Sequence, residues 1–480
     1  MALRTGVQYI EGQAKIKHNV YINGRKVENL EDNSNTKTVL NATAKLYDLA
    51  KNPKYDEIMN VTSSITGEKA SRWLHPSRSP KDLEMRAEMA LLCSQKLGTC
   101  AYRCVGCDTI HAIASVTYEM DQRLSTDYHK RFIEWLKYVQ ENDLAVSGGV
   151  MDVKGPRDLR PGEGDPDHYV RVAEKRSDGI ILRGAKIHQS GAIGADETLV
   201  IPGVSPRKGE EPYAISCAVK NSQEGITYVS QYNAMSAERD LIGDNSRLGN
   251  PLYGQRETCL MVFDNVFVPW GRVFLCGETE YARKALLRFA KQHRMSCGGS
   301  CKAGFMDLII GATQTLIEEC LGLDKAPVIR QQVTEMIKVR EVSYACAIAA
   351  AFRGEEEPEN SGFYLPNDAL GNAAKLNTCD GFWEVMKWAG DIGGGLVVTT
   401  PSENDLDNPV TKPLLEKYLK TRCSAEKRMR MTKFLQNWVA GLHGVGTWHG
   451  AGPRQNQMIA LYRDTDFEAK KRMAKELAGL

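Results

Sequence analysis

The sequence has little that would carry the chain into a bilayer or onto a charged polymer. No run of about 18 apolar residues occurs, so no membrane-spanning helix is expected. The longest apolar stretch, Ala345 to Phe352, is Ala-rich and suits a packed helix. The opening residues, Met1 to Tyr9, lack the apolar core of a secretory signal. Excess charge is also missing: 62 Lys and Arg stand against 60 Asp and Glu, a formal net charge of +2. That balance gives no electrostatic case for nucleic acid or a membrane as partner. No internal repeat or low-complexity segment stands out. The expectation is a cytoplasmic globular protein. Its 480 residues, 42% apolar and 25% charged, are enough for two or three domains or one multi-lobed enzyme.

What the chain does have is cysteine, thirteen of them. Without a secretion signal, disulfides are not expected, and metal or redox roles gain weight. Most of the thirteen still read as bland. Cys93, Cys217, Cys259, Cys276, Cys320, Cys346, Cys379 and Cys423 sit singly in apolar stretches, as small buried hydrophobes do.

Hydrophobic periodicity divides the chain in three. Residues 1–145 read as helical, with apolar positions three and four apart over Thr36–Ala50, Lys81–Leu97, Asp108–Leu124 and Asp127–Asn142. From 146 to 277 glycine and proline become frequent and short β-rich segments alternate with turns. Tyr169–Lys175 and Ile180–Ile187 flank Ser177-Asp178-Gly179, a hairpin signal. Tyr213–Val219 and Thr258–Phe274 extend this β domain. Residues 278–480 return to long helical stretches: Glu280–Met295, Gly304–Leu323, Pro327–Phe352, Asp368–Trp388 and Pro413–Leu442, with a loop at Gly354–Asn367. The class is α+β. The order helical, β, then long helices is that of the acyl-CoA dehydrogenase-like architecture, an analogy of pattern.

Two cysteine motifs carry chemistry. Cys100-Ala-Tyr-Arg-Cys104 lies in a helical context, which puts its sulfurs one turn apart on one face. With Cys107 it spells C-x3-C-x2-C, a spacing used by radical S-adenosylmethionine enzymes. Those need a βα barrel, and no βα alternation surrounds this segment. By itself, a C-x3-C is more often structural than metal-binding. The second element is His293-Arg-Met-Ser-Cys297-Gly-Gly-Ser-Cys301, an imidazole and two thiols near one helical face. A lone histidine is normally a satisfied core residue. In a reduced compartment, beside a second thiol pair, the combination favours a metal site. Thiolates are soft ligands for iron–sulfur or zinc, and an imidazole can replace one of them. A closed three-Cys, one-His zinc site satisfies the same spacing.

These residues stand among further motifs in a fixed order. They include Asn60-Val-Thr-Ser-Ser-Ile-Thr-Gly-Glu-Lys69, Asp152-Val-Lys-Gly155, Gly184-Ala-Lys-Ile-His-Gln-Ser190 and Glu257 followed by Phe263-Asp-Asn-Val-Phe-Val-Pro-Trp270. Asp391-Ile-Gly-Gly-Gly-Leu396 and His449-Gly-Ala-Gly452 complete the series. Across nearly the whole chain the sequence resembles the 4-hydroxybutyryl-CoA dehydratase and vinylacetyl-CoA isomerase family, within the wider 4-hydroxyphenylacetate 3-hydroxylase superfamily.

The resemblance implies an acyl-CoA dehydrogenase-like homotetramer holding FAD and a 4Fe–4S cluster. Cluster ligands map onto Cys100, Cys104, His293 and Cys301, with Cys297 as the alternative to Cys301. Flavin contacts map onto Val150, Met151, Asp152, Lys154, Gly155 and Arg157, onto His188, Gln189 and Ser190, and onto Gly393, Gly394 and Gly395. The implied reaction is radical dehydration of 4-hydroxybutyryl-CoA to crotonyl-CoA, with the flavin a temporary one-electron acceptor and the iron a Lewis acid. His293, Glu257 and Lys302 are the implied catalytic residues, and an acyl-CoA thioester the implied partner. Three positions depart from the family pattern. Cys297 stands for a tyrosine, Tyr102 for a glutamine and Gly446 for a glutamate. The interval from His293 to the last ligand is one residue longer, which a π-bulge near Gly298-Gly299-Ser300 would absorb. These departures favour one alternative, a related dehydratase or isomerase for a different hydroxyacyl-CoA; a second, a flavin-dependent aromatic hydroxylase without a cluster, follows from the resemblance to other members of the superfamily.

Overall fold

The computed structural model of the chain describes residues 3–243 and 246–480. The amphipathic stripes become helices Ser34–Lys51, Pro80–Leu97, Cys104–Leu124 and Tyr128–Glu141. Local chemistry sets their ends. The Asn33 side chain accepts from the backbone of Asn35 and Thr36, Ser79 accepts from Asp82, and Gly98 closes its helix in the left-handed region. Phe132, Trp135, Leu136 and Val139 form the buried stripe of the fourth helix. Trp135 Nε1 donates to Glu197 at 2.7 Å and so ties that helix to the sheet behind it.

The first 145 residues are not wholly helical. Val20–Ile22 and Arg25–Val27 form a hairpin around Asn23-Gly24, both at positive φ, as a tight two-residue turn requires. Val20–Ile22 then pairs in parallel with Ile226–Ser230. The hairpin thereby becomes the edge of a six-stranded sheet that continues through Cys259–Pro269, Gly179–Gln189 and Arg171–Lys175. The expected 171–189 hairpin is present and antiparallel. A second sheet orders Val273–Cys276, Ile215–Lys220, Glu197–Val200 and Val146–Gly149. One buried core runs between these sheets and the N-terminal helices.

Asp152, expected at the flavin, organises this β region. Its carboxylate meets Lys186 Nζ at 2.7 Å and accepts from the backbone N–H of Val170 and Gly203, each at 3.0 Å. Lys186 is itself buried and also donates to the carbonyls of Val150 and Ile201.

The C-terminal region is helical over Thr279–His293, Lys302–Thr315, Pro327–Phe352 and Asp368–Gly393, with π-helical turns at Arg294–Cys301 and Leu316–Leu321. Two expectations are corrected here. The single helix expected over 413–442 is broken into Lys412–Tyr418 and Ala425–Val439, because Ser424 turns its hydroxyl onto the Lys427 N–H and caps a new start. Cys320 and Cys423, read as lone apolar fillers, are joined as a disulfide with their Cα atoms 4.9 Å apart. Their partnership spans 103 residues, so no local pattern announces it. Among the described residues no helix is long and apolar enough to cross a membrane.

Asp152→Ala leaves the Lys186 ammonium buried without its carboxylate, which costs about 3–5 kcal/mol. Denaturant unfolding of the variant should show a loss of that size, and a loss under about 1 kcal/mol would contradict the role given to Asp152.

Candidate active site

The site begins with how closely helix Cys104–Leu124 lies on the four-stranded sheet. A Cβ on Gly106 would fall 2.1 Å from the Val146 carbonyl oxygen, so only glycine allows this approach and Cys104 is fixed at the sheet's edge. Helix Thr279–His293 runs beside it, held by charge at two levels. Glu119 meets Lys284 and Arg288, and Asp108, one turn beyond Cys104, meets His293. Asp108 is fully buried with both oxygens engaged. Oδ1 accepts from Arg86 Nη2 at 3.0 Å, and Oδ2 accepts from His293 Nδ1 at 2.7 Å and Ser296 Oγ at 2.9 Å. Burial opposes its charge, but Arg86 and His293 outweigh that and hold the carboxyl below its ordinary range.

With Nδ1 committed to Asp108 and Phe289 stacked on the ring at 5.1 Å, the His293 imidazole is fixed in orientation. It hydrogen-bonds Cys297. Burial disfavours its charged form, yet the Cys297 and Asp108 charges prevail and push its pKa up to about 9. The thiols stand in two pairs, Cys100 with Cys104 and Cys297 with Cys301. Cys297 interacts electrostatically with both members of the first pair. The hydrogen bond from Cys301, with Lys302 and His293 nearby, holds the Cys297 thiol well below its usual range. Lys302 Nζ lies 3.4 Å from Cys297 Sγ and donates to the Cys297 carbonyl at 2.9 Å. Two distant stretches of chain therefore do bring their sulfurs and one imidazole together. Among the described residues, however, no three His, Cys, Asp or Glu side chains converge as a single-ion site.

The local geometry departs from expectation at one motif and follows it at the other. Cys100 and Cys104 do not share a helical face. The preceding helix ends at Gly98 and the next begins at Cys104, with Tyr102 at φ +54° in between. Their sulfurs meet through this tight turn. The His293–Cys301 interval is π-helical over Arg294–Cys301, the widened turn expected near Gly298-Gly299-Ser300. Gly299 is pressed there against Ala347, leaving no room for a side chain.

Tyr102 does more than separate two cysteines. Its hydroxyl donates to the Gln255 carbonyl at 3.2 Å and accepts the Glu257 N–H at 3.1 Å. The cysteine turn thus braces Glu257. That carboxyl is buried; Oε1 accepts from Ser230 Oγ at 2.8 Å, and Oε2 has no protein partner. Burial pushes its pKa up to about 8. Arg256 does not pair with it. The guanidinium turns instead to the Gly446 carbonyl at 2.6 Å and the Ser190 hydroxyl at 3.2 Å. A cleft open to solvent reaches this point, with Ser230, Gln231, Arg256 and Glu257 in its wall.

The segments expected at a flavin fall into two places. Val150–Arg157 and His188–Ser190 are adjacent: the Ile187 N–H donates to the Met151 carbonyl at 2.8 Å, and Arg256 links Ser190 to the site. Lys154 and His188 both hold positive φ. Gly393, Gly394 and Gly395 instead end helix Asp368–Gly393, where Gly393 packs on Val397 and Leu435. Sequence reasoning passed over Asp108, Arg256 and Lys375. Asp108 carried a signal, a carboxylate one turn after a candidate ligand in an apolar helix; the two cations carried none.

The mixed helix-and-sheet fold is that of a known superfamily. The sequence profile of the 4-hydroxyphenylacetate 3-hydroxylase N-terminal region matches residues 5–275, and that of its C-terminal region matches residues 282–479. The chain is 38% identical, over 100% of both chains, to the 4-hydroxybutyryl-CoA dehydratase/vinylacetyl-CoA-Δ-isomerase of Clostridium aminobutyricum. It superposes with a TM-score of 0.94 and 36% identity on an oxygen-tolerant archaeal 4-hydroxybutyryl-CoA dehydratase from N. maritimus, covering 100% of this chain and 95% of that one. The oxygenase component of 4-hydroxyphenylacetate 3-monooxygenase complexed with FAD shares the fold, with a TM-score of 0.84 at 22% identity over 99% and 98% of the two chains. The chain belongs to the 4-hydroxyphenylacetate 3-hydroxylase superfamily and, within it, to the 4-hydroxybutyryl-CoA dehydratase family.

Glu257 sets a pH dependence. With its pKa raised from 4.5 to about 8, the folded state holds a proton across that window that the unfolded state releases. Its contribution to stability is therefore full below pH 4.5 and is lost as pH rises through about 8. Glu257→Gln should flatten this slope in melting curves recorded from pH 5 to 9; an unchanged slope would place the proton elsewhere.

Proposed function

We propose that the chain dehydrates 4-hydroxybutyryl-CoA to crotonyl-CoA by a radical route dependent on FAD and a 4Fe–4S cluster, and isomerises vinylacetyl-CoA. The observation that carries this reading is the meeting of two thiol pairs and the oriented His293 beside the buried Glu257. The layout is acyl-CoA dehydrogenase-like, with a mainly helical region over 1–145 that lends an edge hairpin to the sheet, a β domain over 146–277 and a helical domain over 278–480. The enzyme works as a cytoplasmic homotetramer.

The donor set fits a cluster. A cubane takes one protein ligand per iron, so its ligands surround it and need not meet at one point. Cys100, Cys104, His293 and Cys301 hold it in this reading, with Cys297 the alternative fourth ligand. The flavin lies along Val150–Arg157 and His188–Ser190. Gly393–Gly395 stand away from that wall, so they complete the flavin site of a neighbouring copy, and this is where the homotetramer enters. When bound, the flavin supplies a temporary one-electron acceptor and the cluster a Lewis-acidic iron.

The chain's own residues manage protons and position. Glu257 carries a proton near neutral pH, and its unpartnered Oε2 is free to exchange it with the substrate carbon skeleton. His293, aligned by Asp108, is the second acid–base group. Lys302 faces the sulfurs and holds the thioester oxygen. Tyr102 keeps Glu257 in place from the cysteine turn. A second reading rests on Cys297, Tyr102 and Gly446: the same machinery serving a related dehydratase or isomerase of another hydroxyacyl-CoA. An aromatic hydroxylase needs no cluster, and iron and sulfide analysis separates it from both.

Anaerobically purified protein should contain iron, sulfide and flavin together. Cys104→Ala should abolish the broad visible absorption and the iron while leaving most of the flavin; a colourless wild-type protein containing zinc would overturn the cluster. His293→Ala should lower kcat by about 10²–10⁴, the usual worth of a general base. Full turnover in that variant would remove His293 from its role.

A further inference from the structure

The site gathers more sulfur than its proposed cluster can use. A cubane takes one protein ligand per iron, yet Cys100, Cys104, His293, Cys297 and Cys301 all meet there. One thiol of the second pair is therefore spare, whichever of the two holds iron. Cys297 and Cys301 stand one turn apart and hydrogen-bond each other. Both are partly exposed, whereas Cys93, Cys107, Cys217, Cys259, Cys276 and Cys379 are buried. The turn that carries the pair is held from outside. Thr378 Oγ1 donates to the Gly298 carbonyl at 2.8 Å, and Lys302 Nζ to the Cys297 carbonyl at 2.9 Å. A Cβ on Gly299 would fall 2.7 Å from the Ala347 Cβ, and one on Gly298 3.0 Å from the Lys375 Cβ. None of these contacts involves iron, so the two sulfurs stay adjacent when the cluster leaves. An S–S bond of about 2.05 Å asks them only to close the gap of their hydrogen bond.

We propose that Cys297 and Cys301 form a redox-active dithiol, which closes to a disulfide when the cluster is lost and reopens to take it back. The step is thiol–disulfide exchange with a low-molecular-weight disulfide such as oxidised glutathione. One protein sulfur attacks the small disulfide, forming a mixed disulfide and releasing one small thiol. The second protein sulfur then attacks the mixed disulfide, which forms the Cys297–Cys301 bond and releases the other small thiol. Two electrons pass to the small disulfide, and the two protein protons end on the two released thiols. A small dithiol reverses the exchange. A single thiol here would stay blocked as the mixed disulfide or advance to sulfinic acid, which reduction does not undo. The proposal rests on the cluster reading given above and adds a recoverable state of one cluster ligand.

Tryptic cleavage after Arg294 and Lys302 leaves both thiols on one peptide, Met295–Lys302, while cleavage after Arg103 separates Cys100 from Cys104. In anaerobically purified holoprotein, alkylation and mass spectrometry should find that peptide without an internal disulfide. After a chelator strips the iron in the presence of oxidised glutathione, most of the peptide should be lighter by two hydrogens and resist alkylation. Dithiothreitol, then iron and sulfide, should restore most of the visible absorption. Of Cys297→Ala and Cys301→Ala, at least one should still bind iron; stripped in the same way, it should end with glutathione on the remaining thiol. Free thiols on most of the wild-type peptide, glutathione on both its cysteines, or loss of iron from both variants overturns the proposal. Wild-type protein that never contains iron would sink the cluster reading itself. In that case, closure of the same pair by oxidised glutathione keeps the dithiol, and no closure removes it.

Discussion

The site depends on one buried carboxylate. Asp108 is reached by Arg86 from helix Pro80–Leu97 and by His293 and Ser296 from the far side of the β region. Without water around it, that charge is tolerable only while all three donors stay in place. The requirement fixes three helices relative to one another. Because Cys104 lies one turn from Asp108, and Cys297 one turn from His293, fixing the helices also fixes the thiols. The electrostatics that hold the fold and those that prepare the site are the same interaction.

Tyr102, Cys297 and Gly446 each shape the site through contacts that the fold makes. Tyr102 is long enough to reach from the cysteine turn to the backbone of Gln255 and Glu257, so the turn that carries the sulfurs is braced on the proposed acid–base group. Cys297 adds a fourth thiol, accommodated by the π-helical turn and faced by Lys302. Gly446 leaves its carbonyl to Arg256 and contributes no carboxylate.

Much of the architecture was legible because helices and hairpins are written in short-range pattern. Phe132, Trp135, Leu136 and Val139 announce their helix, and Ser177-Asp178-Gly179 its turn. Asn23-Gly24 also announces a turn, but its hairpin is only three residues a side and is stabilised by pairing with Ile226–Ser230, about two hundred residues away. The break at Ser424 was missed because the flanking apolar periodicity continues across it, whereas a single side-chain cap decides the boundary. Cys320 and Cys423 look like their buried neighbours until the fold sets them side by side.

The sequence alone determined the helical and β regions, the two cysteine motifs and the family to which they belong, since each is carried by residues close together in the chain or by motifs in a fixed order. Only the tertiary structure decided which thiols pair, that Asp108 orients His293, that Tyr102 braces Glu257, and that Arg256 turns to the Gly446 carbonyl rather than to Glu257. Those facts depend on contacts between residues far apart in sequence. Their energies arise from burial and from the charges and donors it brings together, and neither exists until the chain has closed around them.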